Sequence, residues 1–359
     1  MDYHISWWHT SFGEEEIQHI AKSIRNENVS QGKVTVQFER ELAEFLEVDH
    51  VITVSSGTTA LLMALMAIGV VPGDEVIMPN RTWIATAHAV HILGAKVVLV
   101  DVEPNRPIID VTSIEQAITS KTKAIIPVHM NGRSANMRSI RKIARKYKIH
   151  VIEDAAQAIG SCNKQGYLGT QSDIGCFSLS VAKTISTGQG GFAVTSNKRL
   201  ASKMRAIRTH GVENVKDPKE WVMPGFNFRF TDVLASIGIE QLKRLPDRID
   251  HQKIIYSTYA EKLKGTPFRL IPVDLPTGEV PVYNEFLVED RTKWIKRLEA
   301  EGIESRPFIP NLDKASYLGE QNLDFPNSRK YGLEGIYLPS GPEQSLQNIQ
   351  YTIQCIKKI

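Results

Sequence analysis

A lysine lies just beyond one of the apolar runs of this sequence, in a setting unlike that of a surface lysine. Lys183 stands in FSLSVAKTISTGQGG (residues 177–191), among apolar and hydroxyl side chains that follow the run 174–180. Burial lowers the pKa of an amine and makes it nucleophilic, as a lysine that forms a Schiff base requires. The glycines that follow allow the backbone to fold tightly beneath a flat ligand. A structural lysine is the alternative for this segment alone.

Two consecutive carboxylates lie within a second of these runs. Glu153 and Asp154 belong to the run 150–156, where a buried carboxylate needs a cationic or proton-bearing partner. Taken alone, the pair is explained by a structural salt bridge or helix cap as well as by a functional site.

Two further segments have the residue types that bind a phosphate and a flat ring. Ser56-Gly57-Thr58-Thr59 follows the run 51–56 and opens a helical pattern, so backbone N–H groups could hold a phosphate there without any lysine. Trp83 follows the run 74–79 and could stack on a planar ring. The first segment is equally consistent with a strand-to-helix turn capped by a hydroxyl, and a lone Trp more often packs in a core or an interface.

Together these four features match the requirements of one cofactor, pyridoxal 5′-phosphate. A lysine holds its aldehyde and moves a proton, and an acid keeps its pyridine nitrogen protonated. Backbone N–H groups hold its phosphate, and an aromatic side chain stacks on its ring. The sequence therefore predicts that all four segments line one site, with Lys183 and Asp154 as its catalytic residues.

The elements that must position these residues alternate along the chain. Helical spacing occurs at residues 58–71, 82–93, 134–148 and 197–208. Around these segments lie seven short β-branched runs, which predict strands buried on both faces: 51–56, 74–79, 96–102, 123–130, 150–156, 174–180 and 190–196. The alternation predicts a mostly parallel sheet covered by helices, whose ligands bind beyond the carboxyl ends of the strands.

The pattern changes beyond about residue 230. Two long helices, 231–245 and 246–264, are predicted to meet at Pro246. Near the other end of the chain, Ser11 and Glu14 have capping-box spacing and predict the start of a helix. We therefore predict two domains, a large cofactor-binding domain over residues 1–240 and a smaller C-terminal domain over residues 241–359.

Composition and charge argue against several classes of protein. The 359 residues are 42% hydrophobic and 23% charged, and 43 basic against 40 acidic side chains give a net charge of +3. A dedicated nucleic-acid binder carries a stronger basic excess, and the basic segment 138–148 is interpreted as the solvated face of a helix rather than a phosphate or nucleic-acid patch. We expect no membrane span, no signal peptide and no metal site. The three scattered cysteines predict reduced thiols in a cytoplasmic protein: Cys162, Cys176 and Cys355.

The sequence resembles the DegT/DnrJ/EryC1/StrS family of pyridoxal phosphate-dependent sugar aminotransferases over nearly its whole length. The resemblance implies an α/β fold of the type I pyridoxal phosphate enzymes, with a mostly parallel seven-stranded sheet in a three-layer large domain and a smaller α+β C-terminal domain. It also implies a homodimer with shared active sites. The segments that carry it are SSGTTALLMAL (55–65), GDEVIMPNRTWIATA (73–87), VIEDAAQAIG (151–160), FSLSVAKTISTGQGG (177–191), GFNFRFTD (225–232) and GIESRPF (302–308).

This resemblance assigns a role to each residue of the cofactor site. Lys183 matches the Schiff-base lysine of the family, and Asp154 matches the acid paired with the pyridine nitrogen. Gln157 matches the residue near the ring hydroxyl, and Trp83 occupies the ring-stacking position. Three small residues match the phosphate contacts: Gly57, Thr58 and Ser178.

The resemblance also points to residues outside the cofactor pocket. Asn227 matches an asparagine that reaches the phosphate of the neighbouring subunit, and Arg229 lies in the same segment. Arg306, in the segment 302–308, is a candidate ligand for a substrate phosphate or for the carboxylate of the amino donor. A surface ion pair is the alternative for Arg306.

The implied reaction takes an amino group from L-glutamate, cycles the cofactor through pyridoxamine 5′-phosphate and aminates a keto-sugar. GIESRPF resembles the perosamine-synthase branch, which favours a nucleotide-linked 4-keto-6-deoxyhexose and a role in surface polysaccharide or related amino-sugar synthesis. Ser180 and Gln189 depart from the family's His and Glu, and a His that follows GIESRPF in many relatives is missing. A small phosphorylated ketone or another non-nucleotide keto-sugar is therefore the alternative acceptor. A non-catalytic regulator is a third hypothesis, which the intact Lys183 disfavours.

Overall fold

The computed structural model describes residues 4–212, 214, 217, 219–319, 321 and 324–358. Its strands are β1 His50–Val54, β2 Glu75–Pro79, β3 Lys96–Val100, β4 Thr122–Ile125, β5 His150–Asp154, β6 Cys162–Asn163, β7 Gly166–Tyr167, β8 Ile174–Ser178, β9 Gly191–Thr195, β10 Arg269–Leu270, β11 Asn284–Leu287, β12 Arg306–Pro307 and β13 Gly335–Leu338. Its α-helices are α1 Glu14–Arg25, α2 Lys33–Leu46, α3 Gly57–Ala67, α4 Ala85–His91, α5 Val111–Ala117, α6 Met137–Tyr147, α7 Lys198–Arg208, α8 Asp232–Lys243, α9 Leu245–Lys262, α10 Arg291–Ala300, α11 Pro326–Glu334 and α12 Leu346–Lys358.

Seven strands form one sheet in the order β1-β9-β8-β5-β4-β2-β3. From β8 to β3 the neighbours are parallel, whereas β9 is antiparallel to both β8 and β1. Because two reversals restore the direction, β1 runs parallel to β8, and every strand except β9 ends at the same edge. Each of the seven predicted runs overlaps one strand of this sheet, so the mostly parallel seven-stranded sheet is confirmed.

Helices cover both faces of the sheet, because successive side chains of a strand point to opposite sides. On β2, Val76 and Met78 pack in a core with α3, α4 and α7, whereas Ile77 packs against α5 and α6. On β8, Cys176 packs in the same core as Val76 and Met78, whereas Phe177 packs with α2 and α8 on the other face. The three-layer arrangement expected for the large domain is confirmed. The buried Ile140 and Ile143 of α6 confirm that the basic segment is the solvated face of a helix.

The helix α2, which the sequence analysis did not include, is held by an aspartate two hundred residues away. Asp232, the first residue of α8, is fully buried. Its carboxylate accepts hydrogen bonds from the N–H of Gly32 (2.8 Å), the N–H of Thr35 (2.9 Å) and the hydroxyl of Thr35 (2.6 Å). These bonds satisfy donors that the first turn of a helix leaves without intrahelical partners. The segment GFNFRFTD therefore holds the start of α2 through its last residue, Asp232.

The start of the first helix differs from the prediction. The N-cap of α1 is Gly13, and the carboxylate of Glu16, not Glu14, accepts from its N–H at 2.7 Å. The capping pair Ser11 and Glu14 is therefore wrong. The carbonyl of Ser11 instead accepts hydrogen bonds from Gln241 and Arg248, which place it against the end of α8 and the start of α9. The predicted break near Pro246 is confirmed, since α9 has this proline in its first turn.

The C-terminal part of the chain has its own antiparallel sheet, in the order β10-β11-β13-β12. The helices α9, α10 and α12 pack on it around a core that includes Phe286, Ile336 and Leu338. This is the expected α+β arrangement. The segment 5–8 also lies here, because Ile5 bridges to Ile303 and Trp8 bridges to Ser340. The division of the chain at residue 240 stays a prediction.

In the part of the chain that the structure describes, no helix combines the length and apolar character that a bilayer crossing needs. The three cysteines are free thiols.

Candidate active site

A cavity of about 490 Å³ lies beyond the carboxyl ends of the large sheet, between that sheet and the C-terminal sheet. The structure brings the four chemistry-bearing segments of the sequence together around it. Eight of the predicted site residues line it: Gly57, Thr58, Trp83, Asp154, Gln157, Ser178, Lys183 and Arg306.

One end of the cavity is the N-terminus of α3. The hydroxyl of Ser56 caps this helix by accepting from the N–H of Thr59 at 3.1 Å, so the predicted hydroxyl cap is present. The first residues of the helix, Gly57 and Thr58, face the cavity beside Ser178. A Cβ on Gly57 would lie 3.0 Å from the Cβ of Ser178, which is tighter than ordinary packing allows. Glycine therefore lets the helix start close to the end of β8, where backbone N–H groups and a hydroxyl can hold an anion.

The two consecutive carboxylates at the end of β5 point to opposite sides of the sheet and have different roles. Glu153 is fully buried, and its carboxylate accepts from the N–H groups of Gly169 (2.9 Å) and Gln171 (2.7 Å). It also pairs at 2.8 Å with Nε2 of His129, whose Nδ1 accepts from the backbone, so Nε2 is the donor. Glu153 thus has the structural role that the sequence left open for the pair. Asp154 lines the cavity instead.

Asp154 is buried in a way that favours its protonated form. Burial raises the pKa of its carboxyl, while hydrogen bonds from Thr86 (2.8 Å) and from the N–H of Ala156 (3.1 Å) oppose that shift. A nearby cation would stabilise the carboxylate. The site therefore suits a ligand that presents a protonated nitrogen to Asp154.

Lys183 lies in the loop between β8 and β9, with its amine at the cavity. Desolvation lowers the pKa of this amine to about 8, against the attraction of the Asp154 carboxylate. A larger fraction of the amine is therefore unprotonated near neutral pH than for an exposed lysine. This is the property that a Schiff-base lysine requires.

Part of the cavity lining is aromatic and comes from distant parts of the chain. Trp83 faces the cavity and is 55% exposed, so it is not a core residue of this chain. Sequence reasoning missed the other aromatic residues, Trp7, Tyr283 and Tyr337, which lie on the N-terminal segment and the C-terminal domain. Trp7 stacks on Tyr283, with ring centroids 5.7 Å apart. No local pattern marks these positions, because their place at the site depends on how the two sheets pack.

Arg306 has features of both roles considered from the sequence, a surface ion pair and a ligand for an anionic group. Its guanidinium lies 4.4 Å from the ring centroid of Trp7 and forms an ion pair with Glu304 at 2.7 Å. Arg306 is also exposed and lines the cavity, so it remains available to an anionic ligand.

Asn227 and Arg229, both within the described residues, lie outside the set that lines the cavity. Asn227 is exposed, and its side-chain oxygen accepts from Nε of Arg229 at 2.9 Å. This placement leaves both side chains at the surface of the chain.

The residues around the cavity fit pyridoxal 5′-phosphate. The amine of Lys183 and the carboxyl of Asp154 share one cavity with the N-terminus of α3. The glycine at position 57 leaves this N-terminus open, since a larger residue would crowd Ser178. Amine, acid, anion site and flat aromatic wall are the groups that this cofactor needs. The fold and the site define a pyridoxal phosphate-dependent enzyme of fold type I.

Comparison with known proteins identifies the family. Residues 10–357 match the DegT/DnrJ/EryC1/StrS aminotransferase family, and the chain belongs to it. It is 36% identical to the GDP-perosamine synthase of Caulobacter vibrioides over 92% of this chain and 91% of that protein. It is 32% identical to the spore coat polysaccharide biosynthesis protein SpsC of Bacillus subtilis over 97% and 95% of the two chains. The sugar aminotransferase Spr1654 of Streptococcus pneumoniae, described as putative and solved in its PMP form, superposes with a TM-score of 0.94 at 26% identity, over 99% of this chain and 97% of that one. The expected family, fold and enzyme class are confirmed.

Proposed function

We propose that this chain uses pyridoxal 5′-phosphate to transfer an amino group from L-glutamate to a nucleotide-linked keto-sugar, of the 4-keto-6-deoxyhexose class. The observation that carries the proposal is the pair Lys183 and Asp154 in one cavity that ends at the N-terminus of α3. Relatives named GDP-perosamine synthase, at 33–36% identity, support the class of acceptor. The relative SpsC supports a role in polysaccharide or amino-sugar synthesis.

When bound, the cofactor supplies an electron sink for the electrons that remain when a C–H bond beside the amino group breaks. Asp154 would hold a proton at the pyridine nitrogen and so keep the ring electron-poor. Lys183 would anchor the aldehyde carbon and then, as a free amine, accept a proton in one half of the reaction and return it in the other. Gln157 would contact the ring hydroxyl, and Trp83 would cover the ring face.

The phosphate group would bind where α3 begins. The N–H groups of Gly57 and Thr58 and the hydroxyl of Ser178 provide hydrogen-bond donors there, and the dipole of the helix favours an anion. This arrangement uses no lysine or arginine from the same chain. Because these local groups hold the phosphate, the near-neutral net charge of +3 does not argue against an anionic cofactor.

We propose a homodimer in which Asn227, with Arg229 beside it, reaches the phosphate of the neighbouring subunit. Asn227 is exposed and Arg229 is partly exposed, and both lie outside the cavity of their own chain, which is compatible with this role. Apolar side chains are exposed close by, with Trp221 at 74% and Phe226 at 46%. Exposed apolar groups of this kind often mark an interface between chains. The cytoplasmic location stays a prediction that rests on the cysteine usage.

Arg306 would contact the anionic part of a substrate, either the sugar phosphate or the donor carboxylate. Glu304 and Trp7 hold its guanidinium at the cavity before any ligand arrives. An arginine fixed in this way loses less side-chain entropy on binding than a free one.

A screen of the second half-reaction tests the proposed acceptor. Enzyme converted to its pyridoxamine form is mixed with GDP-, dTDP- and UDP-linked 4-keto-6-deoxyhexoses, and with dihydroxyacetone phosphate as the small phosphorylated ketone. We expect the absorbance of the Lys183-bound cofactor to return with at least one nucleotide sugar and not with the triose phosphate. A response to the triose phosphate alone would refute the acceptor class while leaving the aminotransferase intact.

A further inference from the structure

We propose that Tyr283 and Asn131 are positioning residues that hold Lys183 in register with Gln157 through one continuous chain of hydrogen bonds. The inference rests on the proposed function, in which Lys183 and Gln157 contact neighbouring substituents of the cofactor ring, its aldehyde carbon and its hydroxyl. The chain of bonds passes from the large sheet into the C-terminal domain and back.

The first link fixes the backbone at the lysine. The hydroxyl of Tyr283 donates to the carbonyl oxygen of Ala182 at 2.8 Å. This carbonyl belongs to the peptide bond that joins Ala182 to Lys183, so the bond restrains the direction in which the lysine side chain leaves the backbone. The indole N–H of Trp8 adds a second restraint by donating to the carbonyl of Val181 at 3.0 Å. The loop around Lys183 has no regular secondary structure, so hydrogen bonds from side chains, rather than those of a helix or strand, fix its backbone.

The second link fixes Tyr283 itself. Both backbone groups of Tyr283 pair with the side-chain amide of Asn131: the N–H donates to Oδ1 at 2.6 Å, and Nδ2 donates to the carbonyl at 2.9 Å. Asn131 is fully buried and has φ of 55°, a conformation that residues other than glycine seldom adopt. A buried polar side chain in a strained backbone, with both ends of its amide satisfied, indicates a specific requirement at this position.

The third link reaches the cofactor side of the site. The N–H of Asn131 donates to Oε1 of Gln157 at 2.9 Å, and Gln157 lines the cavity. Gln157 and Lys183 lie on separate loops after β5 and β8, and one buried residue of the large domain and one of the C-terminal domain connect them. Such a connection holds reacting groups in a fixed geometry before the substrate binds.

Reductive methylation of the full-length chain, after removal of the cofactor, tests the inference. Formaldehyde and cyanoborohydride label unprotonated amines, and peptide mass spectrometry gives the labelling midpoint of Lys183 against pH. Among the described residues, Asp154 and Arg306 are the other charged side chains at the cavity; the Asp154 carboxylate attracts the protonated amine, and burial places the midpoint near pH 8. Tyr283→Phe keeps the ring on Trp7 and removes only the hydroxyl, and Asn131→Gly keeps the positive φ and removes only the side chain.

We expect each variant to raise the midpoint by at least about half a pH unit, because a loosened lysine reaches water more easily. The double variant should shift it no further than the single ones. Tyr259→Phe is the matched control, since this buried hydroxyl donates to the carbonyl of Pro339 away from the site. The same midpoint for Tyr283→Phe, Tyr259→Phe and the wild type would overturn the inference, even if Asn131→Gly does not fold.

A second measurement separates this inference from the proposed function. Borohydride reduction of the intact holoenzyme should leave a pyridoxyl group on Lys183. Its absence from Lys183 in the wild type would refute the proposed function. Its presence, together with unchanged midpoints in the variants, would refute the positioning role alone.

Discussion

Asp154 and Lys183 face the same cavity, and burial moves their pKa values toward each other. Desolvation raises the pKa of the Asp154 carboxyl and lowers the pKa of the Lys183 amine to about 8, and the attraction between the two charges opposes both shifts. The acid and the base that the reaction needs are therefore set by one environment. Pairs of groups whose pKa values the protein shifts in this way are typical of active sites.

The lowered pKa of Lys183 predicts how fast the stripped enzyme recovers its cofactor. Only the unprotonated amine attacks an aldehyde, so the rate should rise with pH up to about 8 and level off above it. Stopped-flow absorbance after mixing with pyridoxal phosphate measures this rate. A rate that instead rises about tenfold per pH unit up to pH 10 would mean that Lys183 titrates like an exposed amine.

Replacement of Asp154 by asparagine separates cofactor binding from chemistry. Asp154→Asn retains an oxygen that can accept from Thr86, so the cofactor should still bind. Without the negative charge the ring nitrogen loses its proton, and we expect kcat to fall about 10²- to 10⁴-fold. Asp173→Asn is the control, since this carboxylate accepts from the N–H of Val151 at the far end of the sheet. Equal kcat values for the two variants would contradict the role of Asp154.

The phosphate site predicts a loss of cofactor affinity when one hydroxyl is removed. A hydrogen bond to a charged group contributes about 1.5–3 kcal/mol, so Ser178→Ala should weaken pyridoxal phosphate binding about 10- to 100-fold. Fluorescence titration of the stripped protein gives the Kd. Ser172→Ala is the control, because Ser172 precedes the same strand and donates to the carbonyl of Ile174 instead. An unchanged Kd for Ser178→Ala would remove this residue from the phosphate site.

Hybrid dimers test whether two chains share each active site. Lys183→Ala and Asn227→Ala are each expected to be nearly inactive. In a mixed dimer one site combines both intact residues and the other combines both substitutions. Random reassortment should therefore restore about a quarter of the wild-type activity in the mixture. No gain above the sum of the separate variants, with mixed dimers confirmed by native mass spectrometry, would place Asn227 outside the shared site.

Local sequence patterns predicted the strands of the large sheet but not all of their supports. Runs such as 74–79 and 150–156 are continuous and apolar because helices cover both faces of their strands. The helix α2 was missed although Phe38, Leu42 and Leu46 repeat at intervals of four residues, which is a readable signal. Its cap, Asp232, was not readable, because the contact joins residues two hundred positions apart.

The residues of the site likewise divide into those that a local sequence pattern marks and those that it does not. Lys183 and Asp154 could be found because a strand end leads directly to each of them. His129 and Asn131 lie beyond the end of β4 in the same manner, so a search for polar residues beyond strand ends could also have found them. Tyr283 has no such mark. Its place beside Lys183 depends on the packing of the C-terminal domain against the large sheet.

Addition of glutamate to the purified enzyme, followed by its absorbance spectrum, is the most direct test of the reaction at Lys183. The visible band of the Lys183-bound cofactor should disappear, with formation of one equivalent of 2-oxoglutarate per site. Lys183→Ala should show neither change, whereas Lys264→Ala, which replaces an exposed lysine, should behave as wild type. A wild-type protein that carries no such band, or whose band glutamate leaves unchanged without forming 2-oxoglutarate, would contradict the proposed glutamate-dependent reaction at Lys183.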